Sequence, residues 1–268
     1  MTLSDDEKIN YLKLPLSFYE PNRKLASIGV TVKNVPGALA SVLDMMGRRR
    51  LNVLGLMSSG VGALEELASN SIIVDYTDAG ESGLKSVVDE LRDNWLVTDV
   101  KLYQSEIPGY VINEYHQAYS FLFTRAIIVV DVTLLGILER LYGMLGKEAM
   151  AAIFYHVGLS AGKFVAGKHR FLMEDVEDCI KMFAKHIKAL GYATSTSMVK
   201  TTQGYELTLE SLIECTLVGK LVKGHTSNYF RGSFSGYLKE LTGKEYECKE
   251  VKCINAGDKW CVLSARRV

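Results

Sequence analysis

Three of the five cysteines in this 268-residue chain, Cys248, Cys253 and Cys261, fall within its last 21 residues. An odd count clustered this way points to a local site and not to a disulfide scaffold. Between two of them, Asn255-Ala-Gly257-Asp258 is a turn signal, and a three-residue loop of Ala256 to Asp258 pairs residue 253 with 261 across a hairpin. Their Cβ atoms then lie ~5 Å apart. Two thiols so placed can share a metal, form a disulfide, or simply pack as small apolar residues. A second segment with chemical potential is Asn34-Val-Pro36-Gly37, just ahead of Leu39, Val42, Leu43 and Met46 at helical spacing. The N–H groups at such a helix start can hold a carboxylate, with Asn34 beside them as a polar contact. Asn34 can equally serve as the helix cap, with Pro36 in the first turn.

Other chemistries are absent from the sequence. It has no Gly-rich nucleotide loop and no H-E-x-x-H. Its five histidines (His116, His156, His169, His186, His225) lack the paired spacing of a catalytic or metal-binding helix and read as surface or satisfied core residues. The 31 basic residues balance 31 acidic ones, so bulk charge favours neither nucleic acid nor an anionic membrane. No recognition-helix pattern for DNA is present. The start, MTLSDDEKINYLKLPL, lacks the basic n-region and apolar run of a signal peptide, which predicts a cytoplasmic chain. The strongest apolar run, Ala126 to Leu138, is interrupted by Asp131 and Thr133, so no membrane insertion is expected.

The elements that must position these residues follow from the hydrophobic periodicity. Leu25 to Val32 alternates as a strand, and a helix follows it, with Arg48, Arg49 and Arg50 at the end that favours cations. Strands at 52–58 and 71–76 are joined by a Gly-rich loop, 59–68. A helix carrying Leu84, Val87, Val88 and Leu91 leads to a last strand, 97–103. The order is βαββαβ. After an N-terminal extension, 1–23, this places a first domain at 24–104, a linker with a Pro-Gly break at 105–119, and a second domain at 120–268. The second half predicts a strand at 121–130, helices at 134–145, 148–165 and 175–190, and strands at 194–200, 205–209 and 213–218. A helix at 228–241 and a hairpin at 246–265 complete it. The fold class is α+β throughout: a ferredoxin-like βαββαβ domain, then helices against an antiparallel sheet.

Residues 24–104 resemble an ACT domain, through the Asn34-x-Pro36-Gly37-x-Leu39 loop and the Asn52-Val53 entry to the second strand. That resemblance implies a regulatory domain that pairs and binds an amino acid or other small effector at Asn34, Pro36 and Gly37. Residues 120–267 resemble the 4-vinyl reductase, or hydrocarbon-binding, domain. The likeness rests on Ser227-x4-Gly232-x3-Gly236-Tyr237, on Glu250-x2-Cys253-x7-Cys261, and on His156-Val-Gly158-x3-Gly162. It implies an apolar or aromatic ligand cavity with Tyr237 as a pocket residue. It also implies a structural zinc on Glu250, Cys253 and Cys261. The family's remaining cysteine falls on Ser227, whose neutral hydroxyl is a poor zinc ligand, and nearby His225 is the candidate replacement.

Together these readings predict a non-enzymatic sensor that binds a small-molecule ligand and forms a homodimer, with its output partner unspecified by the sequence. The alternatives are an enzyme or enzyme subunit acting on a tetrapyrrole or aromatic substrate, which a co-purifying absorbance would reveal, and an adaptor like the TRAPP-type trafficking subunits. No nicotinamide or flavin site is present to support a reductase.

Overall fold

The computed structural model describes residues 11–59 and 65–268. Part of the Gly-rich loop expected at 59–68 and most of the first half of the N-terminal extension therefore lie outside the described residues. The chain forms two compact units, one ending at Ile127 and the other beginning at Ile128.

In the first unit the elements run β1 (Ser17–Tyr19), β2 (Leu25–Lys33), α1 (Ala38–Arg48), β3 (Asn52–Ser58), β4 (Leu67–Asp75), α2 (Gly80–Arg92), β5 (Val97–Gln104), β6 (Tyr110–Ile112), β7 (Tyr119–Phe121) and β8 (Thr124–Ala126). The main sheet is antiparallel in the order β3-β4-β2-β5, with Val30 opposite Asn70 on one side and Val100 on the other. This is the expected βαββαβ. Ile28, Val30 and Val32 of β2 and Ile72 and Val74 of β4 meet Val42 and Met46 of α1 and Leu84, Val87 and Leu91 of α2 in one apolar core. Arg48 and Arg49 lie where the α1 dipole favours them and also reach Glu90 of α2, at 3.6 and 3.3 Å.

Residues 105–119, expected as a linker, fold onto this unit. β6 pairs with β1, and the Tyr115 ring lies so close over Gly29 that a Cβ there would sit 2.2 Å from Cδ2. The Tyr115 hydroxyl bonds Thr31 Oγ1, and beneath this strap Ser27 and Ser71 are buried 3.3 Å apart. Both faces of the central strand β2 are thereby covered. The strand expected at 121–130 is instead a small hairpin, β7–β8, turned by Leu122 and Phe123 with φ of 47° and 61°, and strand structure ends at Ala126.

The second unit holds α3 (Asp131–Leu172), α4 (Val176–Ala189), β9 (Ser195–Lys200), β10 (Gly204–Glu210), α5 (Ile213–Val218), α6 (Asn228–Thr242), β11 (Tyr246–Lys252) and β12 (Cys261–Arg267). Its sheet is antiparallel in the order β11-β12-β10-β9. Gly146, with φ of 75°, breaks α3 where the two sequence-read helices were expected to separate, but the second piece continues to Leu172. In length and composition α3 is apolar enough to cross a membrane, which the interrupted run at 126–138 did not suggest. The glycine motifs explain how α3 and α6 meet. A Cβ on Gly158, Gly162, Gly232 or Gly236 would lie 2.0 to 2.2 Å from a carbonyl oxygen of the facing helix. The two backbones touch, and only glycine fits at the crossing.

Candidate metal centre and effector cavity

Residues 213–218, expected as a strand, form the helix α5, and this difference assembles the site. Cys215 on α5 comes together with Glu250 on β11, Cys253 in the hairpin connection and Cys261 at the start of β12, their donor atoms all within 4.8 Å of one another. The three thiols are buried, and the Glu250 side chain is only 5% exposed. Cys215 Sγ lies 3.6 Å from Cys253 Sγ and 3.8 Å from Glu250 Oε1. The expected three-residue loop is in fact a longer connection containing a short 3₁₀ turn, Ile254–Ala256. Cys253 N–H donates to Asp258 Oδ2 at 2.9 Å there, and Cys253 stays beside Cys261.

Ser227 and His225 take supporting positions. Ser227 donates its N–H to Glu250 Oε2 at 3.0 Å and its hydroxyl to Oε1, and its Oγ lies 3.0 Å from Cys215 Sγ. It fixes the carboxylate's orientation. His225 stands at the rim, half exposed, with Nδ1 2.9 Å from the Glu250 backbone carbonyl, outside the donor cluster. The fourth donor is thus a sulfur from Cys215.

Electrostatics say what this cluster can hold. Hydrogen bonds from Cys215 and Cys261 drive the Cys253 thiol far below its usual range, and the bond with Cys253 holds Cys215 far above it. Burial pushes Glu250 up to about 7 against the two bonds from Ser227. Among the described residues no Lys or Arg pairs with this buried carboxylate. Thiolates and a carboxylate gathered without a cation are costly to ionise together. Three sulfurs and one oxygen at mutual tetrahedral reach are the donor set of a thiophilic d¹⁰ ion such as zinc. All five cysteines are free thiols.

A second site lies in the first unit. Asn34, read as a helix cap, instead donates Nδ2 to the Glu65 carbonyl at 2.9 Å and its backbone N–H to the Glu66 carbonyl at 2.8 Å. It ties the loop to the start of β4. The cap of α1 is Gly37, in the left-handed region at φ 88°, and the helix begins at Ala38, so Pro36 precedes the first turn. Behind this loop is a cavity of about 120 Å³ lined by Lys33, Asn34, Leu39, Ser58 and Asn70 among others, and Pro36 and Gly37 do not line it. Asn70 is 1% exposed. Its Nδ2 donates to the Val30 and Ala68 carbonyls at 3.3 and 3.2 Å, while its Oδ1 has no partner among the described residues. Among the described residues no backbone carbonyl outside α1 accepts the first-turn N–H groups of Leu39 and Ala40.

No family model and no curated protein matches this sequence. Several solved structures are similar to parts of it. The phenol-responsive sensory domain of the transcription activator PoxR, solved with phenol, is 17% identical over 54% of this chain and 77% of its own, with a TM-score of 0.48. A vinyl-4-reductase family protein from Methanocaldococcus jannaschii is 16% identical over 53% of this chain and 84% of its own, with a TM-score of 0.36. The ACT domain of GTP pyrophosphokinase from Chlorobium tepidum is 15% identical over 30% of this chain and 99% of its own, with a TM-score of 0.26.

Tyr237, the expected pocket residue, is wholly buried. Its ring stacks on Phe183 at 4.3 Å, and its hydroxyl donates to the Cys179 carbonyl at 2.5 Å. His169 Nδ1 lies 2.6 Å from the Tyr237 hydroxyl oxygen, and His186 Nδ1 lies 2.8 Å from His169 Nε2. The chain is self-consistent when His169 carries its proton on Nδ1 and accepts from His186. Burial holds His169 down to about 4, so it stays neutral. The Tyr237 hydroxyl is therefore engaged by the protein itself. Two groove-like cavities of the second unit are polar: one of about 960 Å³ carries Lys200, Gln203, Lys244 and Arg266, and one of about 520 Å³ carries Glu206, Thr208 and Lys252.

Cys215 and Asn70 are the site residues that sequence reading missed. Cys215 lies 35 positions before Glu250 in a segment read as strand. Asn70 is a polar residue on the core side of β4, just before the strand's expected start. Its signal was a lone amide beside an apolar alternation.

Proposed function

We propose that this chain is a non-enzymatic regulatory protein whose first unit binds a small α-amino acid and whose second unit is stapled by a structural zinc. The observation that carries the reading is the orphaned Asn70 Oδ1, buried in a cavity at the first turn of α1. A buried acceptor without a donor costs ~1–3 kcal/mol, so a ligand that donates to it gains that amount on binding. An α-ammonium group meets that need. The accompanying carboxylate is matched by the Leu39 and Ala40 N–H groups and by the positive end of the α1 dipole. A cavity of about 120 Å³ favours a short side chain. Ligand burial would favour one arrangement of the protein, and the difference in affinity between arrangements is the signal.

The zinc in this reading sits on Cys215, Glu250, Cys253 and Cys261. Three thiolates quench its Lewis acidity, so it ties α5 to the terminal hairpin and does no chemistry. The test of the effector site is calorimetry of the full chain with each of the twenty amino acids. Binding of one or more short members is expected, lost in Asn70→Leu and retained in His225→Ala. Absence of any heat or thermal shift with all twenty overturns the effector reading.

A further inference from the structure

Between β6 and β7, residues 113–118 cross the outer face of the first sheet without belonging to a strand. That face is polar along their path, with Gly29 and Thr31 of β2 opposite Ser71 and Ser69 of β4. Tyr115 lies over Gly29 and bonds Thr31, Asn113 donates Nδ2 to Met57 Sδ at 3.3 Å, and the Asn113 N–H donates to the Leu16 carbonyl at 2.8 Å. His116 has no such anchor. Both of its ring nitrogens are shut away from solvent, and neither has a hydrogen-bond partner among the described residues. The Ser69 carbonyl acts on the ring, but it already accepts the Ser59 N–H at 2.8 Å and the Ser59 hydroxyl at 3.1 Å, which fills both lone pairs. No carboxylate is at hand. On this face β5 brings Tyr103 and the pair Asp99–Lys101, 3.8 Å apart, and β4 ends in Asp75, 3.5 Å from Arg23. β2 ends in Lys33, which lies over the Trp95 ring, β3 brings Met57, and β1 and β6 carry only the titratable residues Tyr19 and Tyr110. The segment itself adds exposed Glu114 and Tyr115. None of these bonds the imidazole.

We propose that His116 makes this segment a proton-sensitive latch: the neutral ring lets residues 113–116 lie on the sheet, and a proton on it releases them and uncovers Gly29 and Thr31. A neutral imidazole here leaves one N–H donor unmet, whereas a charged one leaves two and adds a buried charge with no counter-ion. Released, the ring is solvated and needs no partner. Burial holds the docked His116 below the ordinary histidine value of 6.5, outweighing the upward pull of the Ser69 carbonyl. As pH falls, the released segment therefore takes up the proton first. Docking is fully favoured above pH 6.5 and weakens as pH falls below that value toward the docked one. One proton limits the response to about tenfold in the opening equilibrium per pH unit. The device lies within the first unit and is independent of the amino-acid and zinc assignments.

Hydrogen exchange of the full chain from about pH 7.5 to about pH 5.5, corrected for the intrinsic rate of each amide, tests the latch. Amides of residues 113–117 are expected to open on the order of fivefold more often for each pH unit below the histidine range, while those of β2 and β4 keep their protection. His116→Phe keeps a ring that cannot take a proton, and its opening is expected to stay flat across the range. His169→Gln, in the second unit, is expected to keep the wild-type response of this segment. An NMR titration of the histidine rings in the wild type needs no variant and is expected to put His116 below 6.5. Protection of 113–117 that ignores pH, an equal response in His116→Phe, exchange rising equally across the whole first unit, or a His116 titration at or above 6.5 overturns the proposal.

Discussion

Replacing Cys215 by serine tests the metal centre at the donor that no linear motif contains. Structural zinc in small domains is worth ~10–16 kcal/mol at neutral pH, so one donor of four carries on the order of 3 kcal/mol. At ~1.4 kcal/mol per decade this is about a 100-fold loss of affinity. The geometry supports applying the full share. Cys215 Sγ approaches Cys253 Sγ to 3.6 Å inside a buried cluster, and a serine hydroxyl there keeps the volume but loses charge and softness. His225→Ala leaves all four donors in place and is expected to leave the affinity unchanged. The assay is metal content by mass spectrometry after chelator-free purification, with affinity from competition against a chromophoric chelator. About one zinc per chain is expected in the wild type and in His225→Ala, and weakly held zinc in Cys215→Ser. Full zinc in Cys215→Ser with loss in His225→Ala would refute the assignment and restore the histidine as fourth ligand.

Two further outcomes follow from packing and from burial. Gly162→Ala puts a Cβ 2.0 Å from the Ser233 carbonyl oxygen, a backbone atom that cannot step aside, and is expected to cost about 3 kcal/mol in urea unfolding; a loss under about 0.5 kcal/mol would mean the helices separate easily. His169 is held down to about 4 against 6.5 in the unfolded chain, so the unfolded state binds the extra proton in that window. The stability it contributes is complete above pH 6.5 and is lost as pH falls through about 4, by on the order of 3 kcal/mol. Denaturant unfolding of wild type and His169→Gln across this range should show the slope in the first and its reduction in the second, whereas parallel curves would contradict a buried neutral histidine.

How much of this was legible in the sequence depends on whether a residue's partner is local or distant. The order βαββαβ and the cores of α1 and α2 followed from periodicity, because each helix turns the same residues toward the sheet. Cys253 and Cys261 could be read together because one hairpin brings them together, and Glu250 joined them through the family resemblance alone. Cys215 could not. The short apolar run Ile213–Val218 is ambiguous between strand and buried helix, and its helical form depends on what surrounds it. Buried Glu214 shows that dependence: its carboxylate accepts the N–H groups of Tyr229 and Phe230 at 2.8 and 3.2 Å, at the start of α6. Residues 105–119 lacked a period because they cross a sheet as a strap, where Tyr115 needs Gly29 beneath it, and no local pattern encodes that pairing. Tyr237 is buried within the glycine motif, but the His169 that bonds its hydroxyl, and the His186 that bonds His169 in turn, lie on other helices.

The glycine crossing of α3 and α6 makes the two helices one mechanical part. Side chains at a helix interface can swing between rotamers and absorb a shift of an ångström, but touching backbones have no such slack. Ser227, at the N-cap position of α6, is bonded through both its N–H and its hydroxyl to the Glu250 carboxylate in the thiol cluster. Any tilt imposed at that end of α6 is therefore expected to reach α3 and its exposed side, which carries Ile153, Val157 and Phe164. The four glycines act as a rivet that turns a change at one end of a bundle into a change of angle at its surface.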